Sequence, residues 1–263
     1  MSWQWITLVY CIYLAAVSFL RPEFRKARPT LAAAVAVAGL VVVAPTRVPA
    51  NAVFTVIVPA LVLLAGYRLS GLLFVRIDAR VENALLAMDR SWLGQTGLLR
   101  AYAAAPRVLR EYLEASYLLV YVGIPAGALA LVVTDHTSRL DEYWSVVLAA
   151  EFICYGMLPW IQTRPPMIRG GLGEVGGLGE VGVRRLNQLI ARRASIRANT
   201  IPSGHAAGAM ATALVVMSVS PALGMLFLVL ALSIAVASVM GRYHYAIDSV
   251  LGILVALLVW VIL

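Results

Sequence analysis

The chain has 263 residues, 62% of them hydrophobic and only 13% charged, with a net charge of +8. This composition excludes an ordinary soluble domain and predicts an all-α fold, a polytopic transmembrane helical bundle. The arginines lie between apolar stretches and not in a basic domain interleaved with aromatics. The positive balance therefore excludes nucleic acid as a partner and bears on membrane orientation and anionic lipid headgroups.

About eight stretches are predicted to cross the bilayer, whose hydrocarbon takes about 17 to 25 apolar residues. They run from Trp3 to Leu20, Thr30 to Ala44, Ala52 to Tyr67, Ala115 to Val133, Tyr143 to Trp160, Ala206 to Ser220, Ala222 to Met240 and Tyr245 to Leu263. The first passes too directly into further spans to be a cleaved signal peptide. Cys11 and Cys154 both fall inside apolar stretches, so no disulfide is expected. The first three spans hold no Asp, Glu, Lys, Arg or His, and hence no nameable chemistry. We expect residues 1–110 to form N-terminal transmembrane helices plus an interfacial segment, and residues 111–263 to form a C-terminal core.

Between the third and fourth spans, Arg68 to Arg110 is mixed. Ile77, Val81, Leu85, Met88 and Trp92 recur at helical spacing, with Arg76, Arg80, Asn83 and Arg90 elsewhere on the wheel. The pattern predicts an amphipathic helix in the membrane interface, and a lid over a site is a second reading. The loop from Ile161 to Ile201 opens on Arg164-Pro165-Pro166, whose prolines are expected to stop the fifth span. Next come two copies of GLGEVG, Gly171 to Gly176 and Gly177 to Gly182. They lack the lysine and hydroxyl of a P-loop and read as a flexible hinge. Val183 to Arg197 then reads as a basic interfacial helix near anionic headgroups.

Lysine and arginine count 19 on the side that carries this loop and 2, Arg47 and Arg139, on the other. Without Arg164 and Arg242 the bias is still 17 to 2, which predicts that the loop face is cytoplasmic.

The chemistry concentrates between Pro202 and Asp248. Pro202-Ser203-Gly204-His205 precedes the sixth span, and Gly241-Arg242-Tyr243-His244-Tyr245-Ala246-Ile247-Asp248 leads into the eighth. The intervening hairpin of two spans returns His244 to the face that His205 left. Ionisable groups at that depth are costly beside lipid and mark a functional site. Pro202 pre-sets a helix start, and the amides of Ser203, Gly204 and His205 would open the span as an anion site. Gly204 leaves room for a ligand; a plain serine-capped helix is the other reading. His244 and Asp248 are four apart, a spacing that puts both on one face of a first helical turn, where the carboxylate can hold the imidazole N–H. An ordinary helix-terminal ion pair has the same spacing. His136 lies on the other face and reads as a loop residue.

These residues resemble the type 2 phosphatidic acid phosphatase (PAP2) superfamily of membrane lipid phosphatases and phosphotransferases. That family carries a Lys-to-Arg-Pro motif, matched at its end by Arg164-Pro165, and a Pro-Ser-Gly-His motif, matched by Pro202 to His205. Its third motif is a Ser-Arg segment followed by a histidine and, four later, an aspartate, matched here by His244 and Asp248. The likeness covers about the last 100 residues. Two family cations are replaced, the lysine by Met157 and an arginine by Ser238. The Gly-Arg-Tyr-His-Tyr run is similar to the sphingolipid and inositol-phosphorylceramide synthase-like branch, and Arg242 is a substitute cation.

The resemblance implies a lipid phosphate or pyrophosphate phosphatase working through a phosphohistidine. In it His244 is the nucleophile, His205 the acid and base, and Asp248 the partner of His244. Arg164, Arg242, Ser203 and Gly204 would bind the phosphate of a membrane lipid substrate, with no metal and no cofactor. A lipid headgroup phosphotransferase is the alternative, and a non-catalytic membrane protein or transporter on the same scaffold is a third.

Overall fold

A computed structural model describes residues 2–43, 53–169 and 182–263. The helices are α1 (Trp3–Leu20), α2 (Arg28–Val43), α3 (Val58–Gly71), α4 (Ala79–Asp89), α5 (Leu98–Ala104), α6 (Arg107–Val133), α7 (Leu140–Gly156), α8 (Pro166–Arg169), α9 (Gly182–Arg193), α10 (Gly204–Val219), α11 (Pro221–Met240) and α12 (Ala246–Ile262). No strand joins them among the described residues; Thr163 and Asn199 form one isolated antiparallel bridge.

Helix α7 is the axis of the bundle, packed by α1, α3, α10 and α12. Of its 17 residues 13 are buried, among them Tyr143, Trp144, Leu148 and Phe152, so it faces protein on nearly every side. Helix α10 is built mainly from Gly, Ala, Thr and Val with no preferred face, and 11 of its 16 residues are buried. Small side chains let backbones approach closely where lipid supplies no hydrophobic drive between helices. Gly208 lies so close to Glu151 of α7 that a methyl group there would overlap the carboxylate. Pro221, at the first turn of α11, follows the extended Ser220 and makes a tight return from α10.

Among the described residues three helices are both long and apolar enough to cross a membrane, namely α1, α6 and α11. Thr55–Gly71, α10 and α12 are apolar but shorter. The membrane character expected from composition holds, while the expected count of eight spans is not reached by these helices. The fifth expected span is shorter than Tyr143 to Trp160, because α7 stops at Gly156. The stop comes from Pro159, whose ring disfavours helix at Leu158 and would meet the carbonyl four residues back. It does not come from Pro165 and Pro166. The fourth begins earlier than Ala115, since α6 starts at Arg107 just after Pro106. Cys11 and Cys154 are buried and free. The repeated hexapeptides lie outside the described residues up to Gly182.

Candidate active site

Three stretches meet at one end of α7, α10 and α12. The bridge between Thr163 and Asn199 ties the two ends of the long loop together, with Asn199 N donating to the Thr163 carbonyl at 2.7 Å. That contact sets Arg164 beside the segment leading into Pro202. Ser203 then donates its backbone N–H to the Asp248 carbonyl at 2.9 Å, which holds the start of α10 against the start of α12. Gly252, one turn further along α12, sits against the Ser203 carbonyl where no Cβ fits. Helix α10 begins at Gly204 with Ser203 as its cap, its hydroxyl accepting from Ala206 N. Pro202 therefore lies two residues before the helix and not at its first position. The Ser203 and Gly204 amides are also occupied, Gly204 N donating to Thr200 Oγ1 at 3.4 Å.

His205 and His244 come together with ring centroids 5.6 Å apart. His205 Nε2 and His244 Nδ1 are buried with no hydrogen-bond partner. His244 is not on the first turn of α12. It precedes Tyr245, the cap residue, because the Ser238 carbonyl accepts from the amides of both Tyr243 and His244 at 2.9 Å and holds the chain in a turn. Asp248 is the third residue of the helix and folds back on the cap, with Oδ2 accepting from Tyr245 N at 2.9 Å and from Asn199 Nδ2 at 2.8 Å. Its Oδ2 is 3.6 Å from His244 Nδ1, longer than a hydrogen bond and close enough for a charged ring to feel the carboxylate.

Both histidines line a cavity of about 50 Å³ whose walls are unusually rich in tyrosine: Tyr67, Tyr117, Tyr121, Tyr155 and Tyr243. Helix α9 supplies one side through Asn187, Ile190 and Ala191. The expected basic helix thus covers the site and exposes Arg185, Arg192 and Arg193 outward.

No arginine lines this cavity. Arg164 is paired with the fully buried Glu82, its Nη2 3.0 Å from Oε2, and its own backbone N–H donates to Glu82 at 2.8 Å. These hydrogen bonds push the guanidinium above its already high ordinary value. Arg242 is 7% exposed, with Nη1 2.7 Å from Asp89 Oδ2 and Nη2 unpartnered. The other oxygen of Asp89 accepts from Ala246 N, the first amide of α12. Asp89 therefore anchors the His244 turn from both sides. Arg242 has a φ of +66°, a left-handed conformation costly for a side chain of its size and held by these bonds.

Helix α4 is amphipathic as expected, with Leu85 buried and Val81 packed against it, but the stripe is shifted toward Glu82, Leu86 and Asp89. Glu82, Leu85, Leu86 and Asp89 face inward, while Ile77 and Trp92 are exposed. The two carboxylates were not singled out from the sequence, although their spacing of seven, flanking Leu85 and Leu86, places them on one face with the apolar pair. Asn199 left no local signal. Met157 lines a different, apolar cavity with Tyr13, Phe152 and Ile153, and Ser238 is fully buried, its hydroxyl 2.8 Å from that of Ser249. His136 lies at the far end of α6, exposed beside Thr134.

A model of the PAP2 superfamily matches residues 83–262. No curated protein and no solved structure matches the chain. The match begins within α4 and takes in Asp89, both histidines and Asp248, and on it this chain belongs to the PAP2 superfamily.

Proposed function

We propose that this protein is a membrane lipid phosphatase that hydrolyses a lipid phosphate or pyrophosphate monoester through a phosphohistidine at His244. The observation that carries the reading is the pair of imidazoles on one cavity, 5.6 Å apart, each with a buried ring nitrogen unpartnered. In the first step a P–N bond forms to His244 as the phosphorus–oxygen bond to the lipid breaks. His205 gives its proton to the departing oxygen. Asp248, 3.6 Å away, stabilises the positive charge that the His244 ring acquires. Water then attacks phosphorus and passes a proton to His205 as the P–N bond breaks, which releases phosphate and restores both rings. The unpaired Nη2 of Arg242 is the donor left to grip a phosphate oxygen, and Arg164 is the second cation assigned to the phosphate; Ser203 and Gly204 shape the start of α10 around the group.

One observation favours a headgroup phosphotransferase as the second reading. The cavity walls carry no arginine or lysine, and both motif arginines face buried carboxylates. Such a site suits a singly charged phosphodiester better than a doubly charged monoester. In either case residues 111–263 form the catalytic core, about eight spans cross the cell membrane, and the site opens to the cytoplasm, as the charge bias supports.

The test is turnover by purified protein of a panel of lipid phosphates and phosphodiester lipids, read both as phosphate release and as headgroup transfer, with and without an alcohol-bearing acceptor lipid. His244→Ala is expected to abolish turnover. Asp248→Asn is expected to keep a remainder about 10⁴-fold below wild type, as for an aspartate that only orients a histidine. Substantial turnover in His244→Ala overturns the phosphohistidine mechanism; turnover only with acceptor present selects the second reading.

A further inference from the structure

Glu114 of α6 is 2% exposed, and its carboxylate has no part in the chemistry above. It accepts from Tyr243 Oη at 2.6 Å, from Arg184 Nη1 at 2.6 Å and from Asn187 Nδ2 at 2.8 Å. The last two belong to α9, the helix over the cavity. The first opens a stack of rings. Tyr243 lies on Tyr117 with centroids 4.1 Å apart and planes 11° from parallel. Tyr117 lies on His205 at 5.0 Å and 14°. Three parallel rings thus run from a buried carboxylate to the histidine. Burial, reinforced by the neighbouring carboxylate, holds the Tyr243 phenol well above its ordinary range, so it stays a neutral O–H donor.

Two side-chain torsions set the plane of a histidine ring, and the ring nitrogen it offers to a substrate depends on that plane. His205 Nε2 makes no hydrogen bond of its own. Its plane is therefore set by packing, and Tyr117 supplies the parallel face. Tyr117 in turn is sandwiched by Tyr243, which Glu114 holds by a charge-assisted bond.

We propose that Glu114 is a positioning residue, which orients His205 through the Tyr243–Tyr117 stack and couples that orientation to the seating of α9 over the cavity. The proposal rests on His205 acting as the acid and base of the proposed phosphatase, but its central prediction is structural and stands without turnover. Glu111, one turn earlier, is the natural comparison. It also accepts from α9, at Gly182 N and Val183 N, and it touches none of the stacked rings.

The chain has three histidines, so ring-labelled protein in detergent micelles gives three imidazole signals, and the His205 signal is identified by its loss in His205→Asn. Glu114→Gln and Tyr243→Phe are each expected to move the His205 signal by more than its linewidth, and Glu111→Gln to leave it in place. Tyr243→Phe keeps the ring stack and removes only the bond to Glu114, so it carries the test if Glu114→Gln does not fold. With a turned-over lipid phosphate, Tyr243→Phe is expected to lower kcat about tenfold with KM nearly unchanged, the mark of a lost transition-state contribution. An unmoved His205 signal in Tyr243→Phe, or an equal shift in Glu111→Gln, overturns the proposal. Wild-type protein inert on every lipid phosphate would defeat the phosphatase reading alone, and the signals would still decide the positioning.

Discussion

Arg242 and Asp89 form a buried pair with side chains 8% and 1% exposed. Removing one partner of such a pair leaves an uncompensated charge and costs about 3–5 kcal/mol. Arg242→Ala is therefore expected to lower the unfolding temperature clearly as well as activity. Arg242→Lys keeps the charge but not the planar fork, which has to meet Asp89 with one nitrogen and offer the other to phosphate. It should fold and lose at least about tenfold in kcat/KM. Asp89→Asn separates two roles of the arginine. If Asp89 serves mainly to anchor the turn before His244, the variant loses kcat; a lowered KM with kcat intact would mean that the carboxylate merely competes with substrate for the guanidinium. Steady-state kinetics with thermal unfolding in detergent distinguishes these outcomes. The histidines and Asp248 were legible in the sequence because their motif spacing is local. Glu82 and Asp89 were not, because their partners lie 82 and 153 residues away.

At the scale of elements, the site depends on how closely α12 lies against the entry to α10. Gly252 permits that approach, since a Cβ there would overlap the Ser203 carbonyl, a backbone atom that cannot rotate away. Overpacking of this kind costs about 1–3 kcal/mol. Gly252→Ala is expected to lower the unfolding temperature by that order and to reduce phosphate release, because the Ser203 N–H to Asp248 carbonyl bond spans the same contact. Normal activity at unchanged stability would show that the contact can relax freely. Elements at the ends of spans were the least legible from sequence. Tyr245 caps α12 and leaves His244 outside it, an outcome decided by the Ser238 carbonyl from the preceding helix.

For the whole molecule, the charge bias of 17 to 2 predicts that α9 faces the cytoplasm and His136 the outside. In a background with Cys11 and Cys154 replaced, Arg193→Cys and His136→Cys can be probed on intact cells with a membrane-impermeant thiol reagent. Labelling at 136 and not at 193 is the expected result. Labelling at 193 and not at 136 inverts the orientation and puts the proposed site outside. Both positions are exposed, so a failure to label reflects the membrane barrier and not burial in the protein.

By itself the sequence determined the class of molecule and the family to which the chain belongs. Hydrophobic content and span length are sums over local stretches, and the Pro-Ser-Gly-His segment and the histidine–aspartate pair are short patterns, so neither needs tertiary information. The tertiary structure decided where charge is available. It paired both motif arginines with carboxylates of α4, laid α9 over a tyrosine-lined cavity and ran a ring stack from Glu114 to His205. A buried charge takes whichever partner the fold delivers to it, and that partner is set by helix packing over sequence separations of 82 and 153 residues, where no spacing rule reaches.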